Sequence, residues 1–212
     1  MIKAVLFDID GTIMNTEKVM KKSLQNALKE KLELSIAQNE LDFIFSLTSE
    51  NTIATFTPIK SKQKEILEKW HDNVKALIHE ANVFDEVEQV LEFLHKNNYP
   101  LGVVTSKNAD ELAFEFKHLE LSNYFDVIVT SSDTTEPKPS PQPLIKAMKH
   151  LKTIPEETIY IGDSVNDMKS AYSSGVHFAL AEWGAKDDRE FDGVEIKLQR
   201  PNHLITLLEE AF

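Results

Sequence analysis

The sequence predicts an α/β fold: a Rossmann-like parallel sheet core with a helical cap inserted after the first strand. Three observations predict it. From residue 100 onward, short runs of branched and aromatic apolar residues alternate with helical patterns. A similar apolar run opens the chain at residues 2–7. Between them, residues 16–82 carry helical patterns and no comparable strand. Strands that alternate with helices pair in parallel, with helices covering both faces of the sheet.

Residues 2–7 end in Phe7 and read as a buried strand, after which Gly11 permits a sharp turn. Helical patterns over residues 17–30 and 61–79 fill the insertion, with weaker helical signal between them. Residues 87–97 return to a helix. The second strand, residues 100–105 (PLGVVT), leads into a helical pattern at 108–119, where Leu112, Phe116 and Leu119 fall at helical spacing. Residues 127–130 (VIVT) precede a proline-rich loop and a helix at 143–151. Residues 158–161 (TIYI) precede a helix at 165–174, and Gly175 is a helix stop before a fifth strand at 176–180. Residues 202–212 close the chain as a helix. The expected division is a core of residues 1–15 and 83–212 and a helical cap of residues 16–82. A long insertion in a surface loop is thermodynamically tolerable. This one emerges directly beside Asp8 and Asp10, so a lid over those residues is expected.

Composition narrows the function. With 35 acidic against 23 basic residues, the formal net charge is −12. Such a surface repels polyanions, which argues against nucleic-acid binding. Only Arg189 and Arg200 are arginines, so there is no arginine-rich surface for reading phosphates. The chain has no cysteine, which excludes disulfides, thiol catalysis and thiolate zinc sites. No apolar run approaches the ~18 residues of a membrane span, and the first strand is no signal segment. A soluble, cytoplasmic protein without a membrane partner, monomeric or homodimeric, is expected.

Of four short motifs, three fall at strand ends, the edge at which an open parallel sheet binds ligands, and the fourth lies in the proline-rich loop after residues 127–130. Asp8-Ile9-Asp10-Gly11-Thr12 places two carboxylates beside a turn. Such a pair can hold a hard cation, and one carboxylate can attack phosphorus. Thr105-Ser106 offers a hydroxyl and the following backbone N–H, a pairing that can hold phosphate oxygens. Lys138 stands in Glu136-Pro137-Lys138-Pro139-Ser140-Pro141, where flanking prolines restrict where the lysine points. Gly162-Asp163-Ser164-Val165-Asn166-Asp167 brings two more carboxylates to a strand end; Asp163 read alone is also a possible helix N-cap. The seven histidines are scattered without metal-ligand spacing, and the cap lysines, interleaved with acids, read as a solvated helix face. Trp183-Gly184 reads equally as packing or as part of a site rim.

With these motifs in this order, the chain resembles the haloacid dehalogenase superfamily, in particular its helical-cap phosphatases of the phosphoglycolate phosphatase type. The resemblance rests on Asp8, Asp10, Gly11 and Thr12; on Thr105 and Ser106; on Lys138 and Pro139; and on Gly162, Asp163, Ser164 and Asp167. It implies hydrolysis of a small phosphorylated substrate with Mg2+ as cofactor. Asp8 is then the nucleophile that forms an aspartyl-phosphate, and Asp10 the general acid–base. Asp8 and Asp163 supply metal-binding carboxylates, Asp10 its main-chain carbonyl, and Asp167 is a further ligand or an outer anchor. Lys138 neutralises charge, while Thr105 and Ser106 orient the phosphoryl group. The rival readings are a β-phosphoglucomutase-type mutase and a binding module. The mutase is disfavoured because the cap lacks arginine and the expected histidine. The binding module is disfavoured because Asp8, Asp10, Lys138 and Asp163 are all present. Asn15, Phe84-Asp85-Glu86 and Phe45-Ser46-Leu47-Thr48 depart from the family pattern, which leaves the particular substrate open.

Overall fold

A computed structural model describes residues 1–115, 121–186 and 188–210 of the chain. Six parallel strands form the main sheet: β1 (Ala4–Phe7), β2 (Leu101–Val104), β3 (Val127–Val129), β4 (Thr158–Gly162), β5 (His177–Ala181) and β6 (Ile196–Leu198). Their order in space is β3-β2-β1-β4-β5-β6. The chain therefore runs outward from β1 through β2 and β3, then returns to β1's other side with β4. That reversal opens a crevice at the carboxyl ends of β1, β2 and β4, where doubly wound sheets bind ligands. The register is set beside the crevice: Phe7 lies opposite Val103 on one side and Ile161 on the other, and Asp8 N–H donates to the Ile161 carbonyl at 2.9 Å.

β1, β2 and β4 are buried along their whole length, as apolar runs covered on both faces should be. Helices α4 (Val87–Lys96), α5 (Ala109–Glu115), α6 (Gln142–Leu151), α7 (Val165–Ser174) and α8 (His203–Glu210) belong to this unit. α4 buries Val87, Val90, Leu91 and Leu94, the spacing of one helix face. Leu144, Ala147 and Met148 of α6 pack with Leu6, Val104, Val129 and Tyr160 of the strands in one apolar cluster. α7 starts at Ser164, whose hydroxyl accepts from Asp167 N–H, and stops at Gly175 with φ 76°. Ser164 is thus the N-cap, which leaves the Asp163 side chain for other partners. The predicted helix face at 108–119 includes Phe116 and Leu119, and the predicted closing helix includes residues 211–212; these lie outside the described residues. β6 has no counterpart among the predicted strands.

The chain contacts divide into two units, Met1–Met14 with Val83–Phe212 and, separately, Asn15–Asn82. The second is helical: α1 (Glu17–Leu32), α2 (Ser49–Ala54) and α3 (Lys60–Leu77), with a 3-10 stretch at Gln38–Ser46. α1 and α3 pack together, burying Leu24, Ala27, Leu28, Ile66 and Trp70. The Trp70 indole N–H donates to the Met20 carbonyl at 3.2 Å, satisfying its one polar atom inside that core. Lys21 corrects the expectation of a solvated lysine face. It is buried, with its ammonium on Glu17 at 2.5 Å and on Asp42. Among the described residues, no helix is long and apolar enough to cross a membrane.

The loop that carries Lys138 is braced near its start. Asp133 accepts from Thr130 N–H at 2.9 Å and from the Thr130 hydroxyl at 2.8 Å, while the α6 ammonium of Lys146 donates to Asp133 at 2.9 Å. The Thr130 N–H, with Lys146 behind it, holds the Asp133 carboxyl down at about 2. A depressed carboxyl contributes stability above its unfolded value near 3.8, and that stability is lost as pH falls through about 2. The carboxylate is more than a third exposed, so screening leaves the contribution at about 1 kcal/mol or less. Asp133→Asn should flatten the acid limb of the stability curve between pH ~4 and ~2. Denaturant unfolding across that range, with the wild type alongside, measures it.

Candidate active site

Three strand ends deliver the motif residues to the crevice. Asp8 follows β1, and the chain then turns at Gly11, whose φ of 82° suits glycine. A Cβ on Gly11 would stand 2.1 Å from an Asp163 carboxylate oxygen, so the turn and the β4 loop touch only because a hydrogen occupies that place. Thr12 completes the contact by donating its hydroxyl to Asp163 Oδ1 at 3.3 Å. The segment after β5 braces the same turn. The Trp183 indole N–H donates to the Thr12 carbonyl at 2.9 Å, and a Cβ on Gly184 would meet the Gly11 carbonyl oxygen at 1.8 Å. Trp183-Gly184 thus takes both roles left open by the sequence, packing and site rim.

Lys138 is the hub. Its ammonium is buried and lies 2.8 Å from Asp8 Oδ1 and 2.6 Å from Asp167 Oδ1. It also donates to the Tyr160 hydroxyl at 3.0 Å and the Val104 carbonyl at 3.2 Å. Three N–H bonds are therefore shared among four acceptors. Asp167 is fully engaged: Oδ1 accepts from Lys138 and from Tyr160 at 2.7 Å, and Oδ2 accepts from the Ser164 hydroxyl at 2.5 Å and its N–H at 3.1 Å. Asp10 turns the other way, pairing through Oδ2 with the Lys107 ammonium at 2.8 Å. Thr105 is buried at the end of β2 and accepts from Lys107 N–H at 3.2 Å; Ser106 is its half-buried neighbour.

Burial dominates the electrostatics. It pushes the Asp8 carboxyl up to about 7 against the pull of Lys138, and burial followed by Asp167 and Asp8 drives Asp163 well up as well. Burial opposes the Lys138 charge, yet Asp167 and Asp8 outweigh it and raise that ammonium above its ordinary value. Smaller contributions in the same upward direction come to Asp8 and Asp163 from the neighbouring aspartates. Among the described residues, four carboxyl groups (Asp8, Asp10, Asp163 and Asp167) and two ammonium groups (Lys107 and Lys138) share this site, and a divalent cation beside Asp8 and Asp163 would favour their charged forms.

The donor set fits such a cation. Asp8, Asp163 and Asp167 each offer an oxygen, all within 4.8 Å of one another, and these hard donors include no nitrogen or sulfur. The saturation of Asp167 by Lys138, Tyr160 and Ser164 marks Asp8 and Asp163 as the better direct donors, with Asp167 holding Lys138 in place.

The structure gathers Asp8, Lys138, Asp163 and Asp167 into one cluster and sets Asp10 beside it. Tyr160 and Lys107 join without having been singled out in the sequence. Tyr160 lay inside an apolar strand, where nothing but its position two residues before Gly162 pointed to the crevice. Lys107 directly follows Thr105-Ser106 at a strand end, and that adjacency was the available signal.

The buried lysine among aspartates lies at the switch point of a doubly wound α/β core, the crevice where such sheets bind ligands. The haloacid dehalogenase-like hydrolase family profile matches residues 5–181, and the chain belongs to that family. The chain is 35% identical over 187 residues to a Caldanaerobacter subterraneus subsp. tengcongensis protein that carries the name PpaX, covering 86% of this chain and 82% of the relative. It is 30% identical over 190 residues to the Bacillus cereus (strain ATCC 10987) pyrophosphatase PpaX, covering 87% and 85%. A Lactobacillus plantarum crystal structure assigned provisionally to the phosphoglycolate phosphatases superposes with a TM-score of 0.88 at 24% identity, covering 97% of this chain and 99% of that one. That last likeness concerns the fold.

Proposed function

We propose that the chain is a magnesium-dependent phosphatase that hydrolyses a small phosphorylated metabolite through an aspartyl-phosphate on Asp8. The observation that carries this reading is the buried Lys138 ammonium joining Asp8 and Asp167 beside Asp163, at the switch point of the sheet. Asp8 and Asp163 would hold Mg2+, with the Asp10 main-chain carbonyl as a further ligand. Bound there, the ion supplies charge neutralisation between the carboxylate and a dianionic phosphoryl group.

The chain's own residues do the rest. An Asp8 carboxylate oxygen attacks phosphorus, a P–O bond forms, and the bond to the leaving oxygen breaks with its electron pair going to that oxygen. Asp10 gives the leaving oxygen a proton. Asp10 then takes a proton from water as the water oxygen attacks the phosphorus of the acyl phosphate. The bond from phosphorus to Asp8 breaks, and inorganic phosphate and the Asp8 carboxylate result. Lys138 places its ammonium against Asp8 throughout, and the Thr105 hydroxyl and Ser106 N–H orient phosphoryl oxygens. The helical unit is inserted in the chain just after the Asp10 turn, and substitutions within it are expected to change substrate choice more than the chemical step.

The relatives' name, pyrophosphatase, is the reason to include pyrophosphate among the substrates tested. The experiment is phosphate release from pyrophosphate, phosphoglycolate, sugar phosphates, nucleoside monophosphates and an aryl phosphate, with Mg2+ present and after its removal. Release that depends on Mg2+ is expected from at least one. Release from none would favour a binding module that kept the fold.

A further inference from the structure

Tyr160 is buried inside the site, and the hydrolysis described above gives it no part. Its hydroxyl lies 2.7 Å from Asp167 Oδ1, 2.9 Å from the Val104 carbonyl and 3.0 Å from the Lys138 ammonium. A phenol has one proton to donate. Tyr160 keeps it, because burial, and after it Asp167 and Asp8, push the phenol well above its ordinary value. The shortest contact, to the Asp167 carboxylate, takes that proton, and the phenol oxygen is left to accept from Lys138. The ammonium stands 3.0 Å from the hydroxyl but 5.7 Å from the ring centroid, so its hold on Tyr160 is through the oxygen.

We infer that Tyr160 is a positioning residue of the hydrolysis: its hydroxyl holds the Lys138 ammonium on Asp8 and keeps it from settling on Asp167. The inference rests on the phosphatase reading, in which Lys138 faces the reacting carboxylate. A lysine ammonium is a point charge on a flexible four-carbon stem, so it does not choose between two carboxylates by shape. Left to those two it has the shorter contact with Asp167, 2.6 Å against 2.8 Å to Asp8. Tyr160 opposes that drift in two ways. Its proton on Asp167 Oδ1 offsets part of the charge that draws the lysine. Its oxygen gives Lys138 a further fixed acceptor beside Asp8.

The tie spans three strand ends. Tyr160 belongs to β4, Asp8 follows β1, and Val104 is the last residue of β2, directly before Thr105. One buried side chain thus sets Lys138 relative to the nucleophile and to the loop that orients phosphoryl oxygens. The Tyr160 ring itself packs in the apolar cluster with Leu6, Val104, Val129 and Leu144, which a phenyl ring can do equally well. Removing the hydroxyl also leaves no partner bare. In Tyr160→Phe, Asp167 Oδ1 and the Val104 carbonyl both keep Lys138 as a donor. The substitution therefore tests position more than folding.

Steady-state hydrolysis of p-nitrophenyl phosphate at saturating Mg2+ tests this. Tyr160→Phe should lower kcat about tenfold, the scale of one hydrogen bond to a charged group, with KM little changed and a thermal melt close to wild type. Combining it with Lys138→Met separates positioning from general support, because residues that act through one group are not additive. With Lys138 gone, Tyr160→Phe should lower kcat no further. The rise in melting temperature on adding Mg2+ should be the same in Tyr160→Phe as in wild type, since Asp8 and Asp163 are untouched. An unchanged kcat, or the same fold-loss with and without Lys138, would overturn the inference. So would loss of the Mg2+ stabilisation, a change in KM alone, or failure of Tyr160→Phe to fold, each of which gives the hydroxyl another role. If Lys138→Met does not fold, Tyr160→Phe decides by itself through kcat against KM. A wild-type protein that hydrolyses no phosphate ester would overturn the phosphatase reading, whereas a Tyr160→Phe variant as active as an active wild type would overturn this inference alone.

Discussion

Asp8→Asn should reduce phosphate release to below ~1% of wild type while leaving the fold intact. The amide is nearly isosteric with the carboxylate, but it is a poor nucleophile and lacks the charge that binds a cation. Folding should tolerate the change because burial already works against a charged Asp8, lifting its carboxyl to about 7. Lys138 keeps Asp167, Tyr160 and Val104 as partners when Asp8 is neutral. Two readouts are needed, single-turnover phosphate release and a thermal melt. Activity above ~1% with contaminating phosphatase excluded would remove Asp8 as the nucleophile. Collapse of the melt would show that the ion pair, and not the chemistry, was lost.

Lys138→Met should cost both activity and stability. The methionine stem fills similar space, so the missing quantity is the ammonium and its bonds to four acceptors. Asp8 and Asp167 would remain buried with no cation between them. Breaking a buried ion pair from one side costs about 3–5 kcal/mol. Loss of a fixed charge aimed at the reacting phosphoryl group should also lower kcat about 10²–10³-fold. Added Mg2+ should return part of the stability, since a ligand that binds only the folded state stabilises it. Denaturant unfolding with and without Mg2+ reads the first effect, and saturating-substrate kinetics the second. A variant as stable as wild type in chelator would mean that the carboxylates around Lys138 are neutral in the folded protein.

Why those two residues could be found in the sequence is a matter of local signals. Asp8 follows a strand of four apolar residues and precedes a glycine turn; both features are local, and the structure keeps both. Lys138 stands between prolines, and Asp163 and Asp167 follow the Thr158–Gly162 strand directly. Parallel order could be inferred because strands alternated with helices, and the crevice followed from the sheet edge. β6 escaped because Ile196–Leu198 is three residues with a lysine at its centre, too short for any periodicity to show. Tyr160 escaped for a different reason. In a strand buried on both faces an apolar ring is expected, and only the packed sheet shows its hydroxyl reaching Lys138 and Asp167. Lys21 and Lys107 escaped because the sequence gives a lysine's charge but not the direction of its stem. Burial of either depends on acids contributed by other segments, Asp42 for one and Asp10 for the other.

The central claim is a covalent phosphoryl group on Asp8, and Asp10→Asn offers the most direct view of it. The variant can neither protonate a leaving group nor activate water. An aryl phosphate needs little protonation of its departing oxygen, so the first step should proceed and the second should stall. Acid quenching after one turnover, digestion and mass spectrometry then locate the phosphoryl group. The account predicts close to one phosphoryl group per chain, carried on Asp8 and absent when Asp8→Asn is combined with Asp10→Asn. Phosphate released with no adduct on the chain, or an adduct carried by another residue, would contradict it.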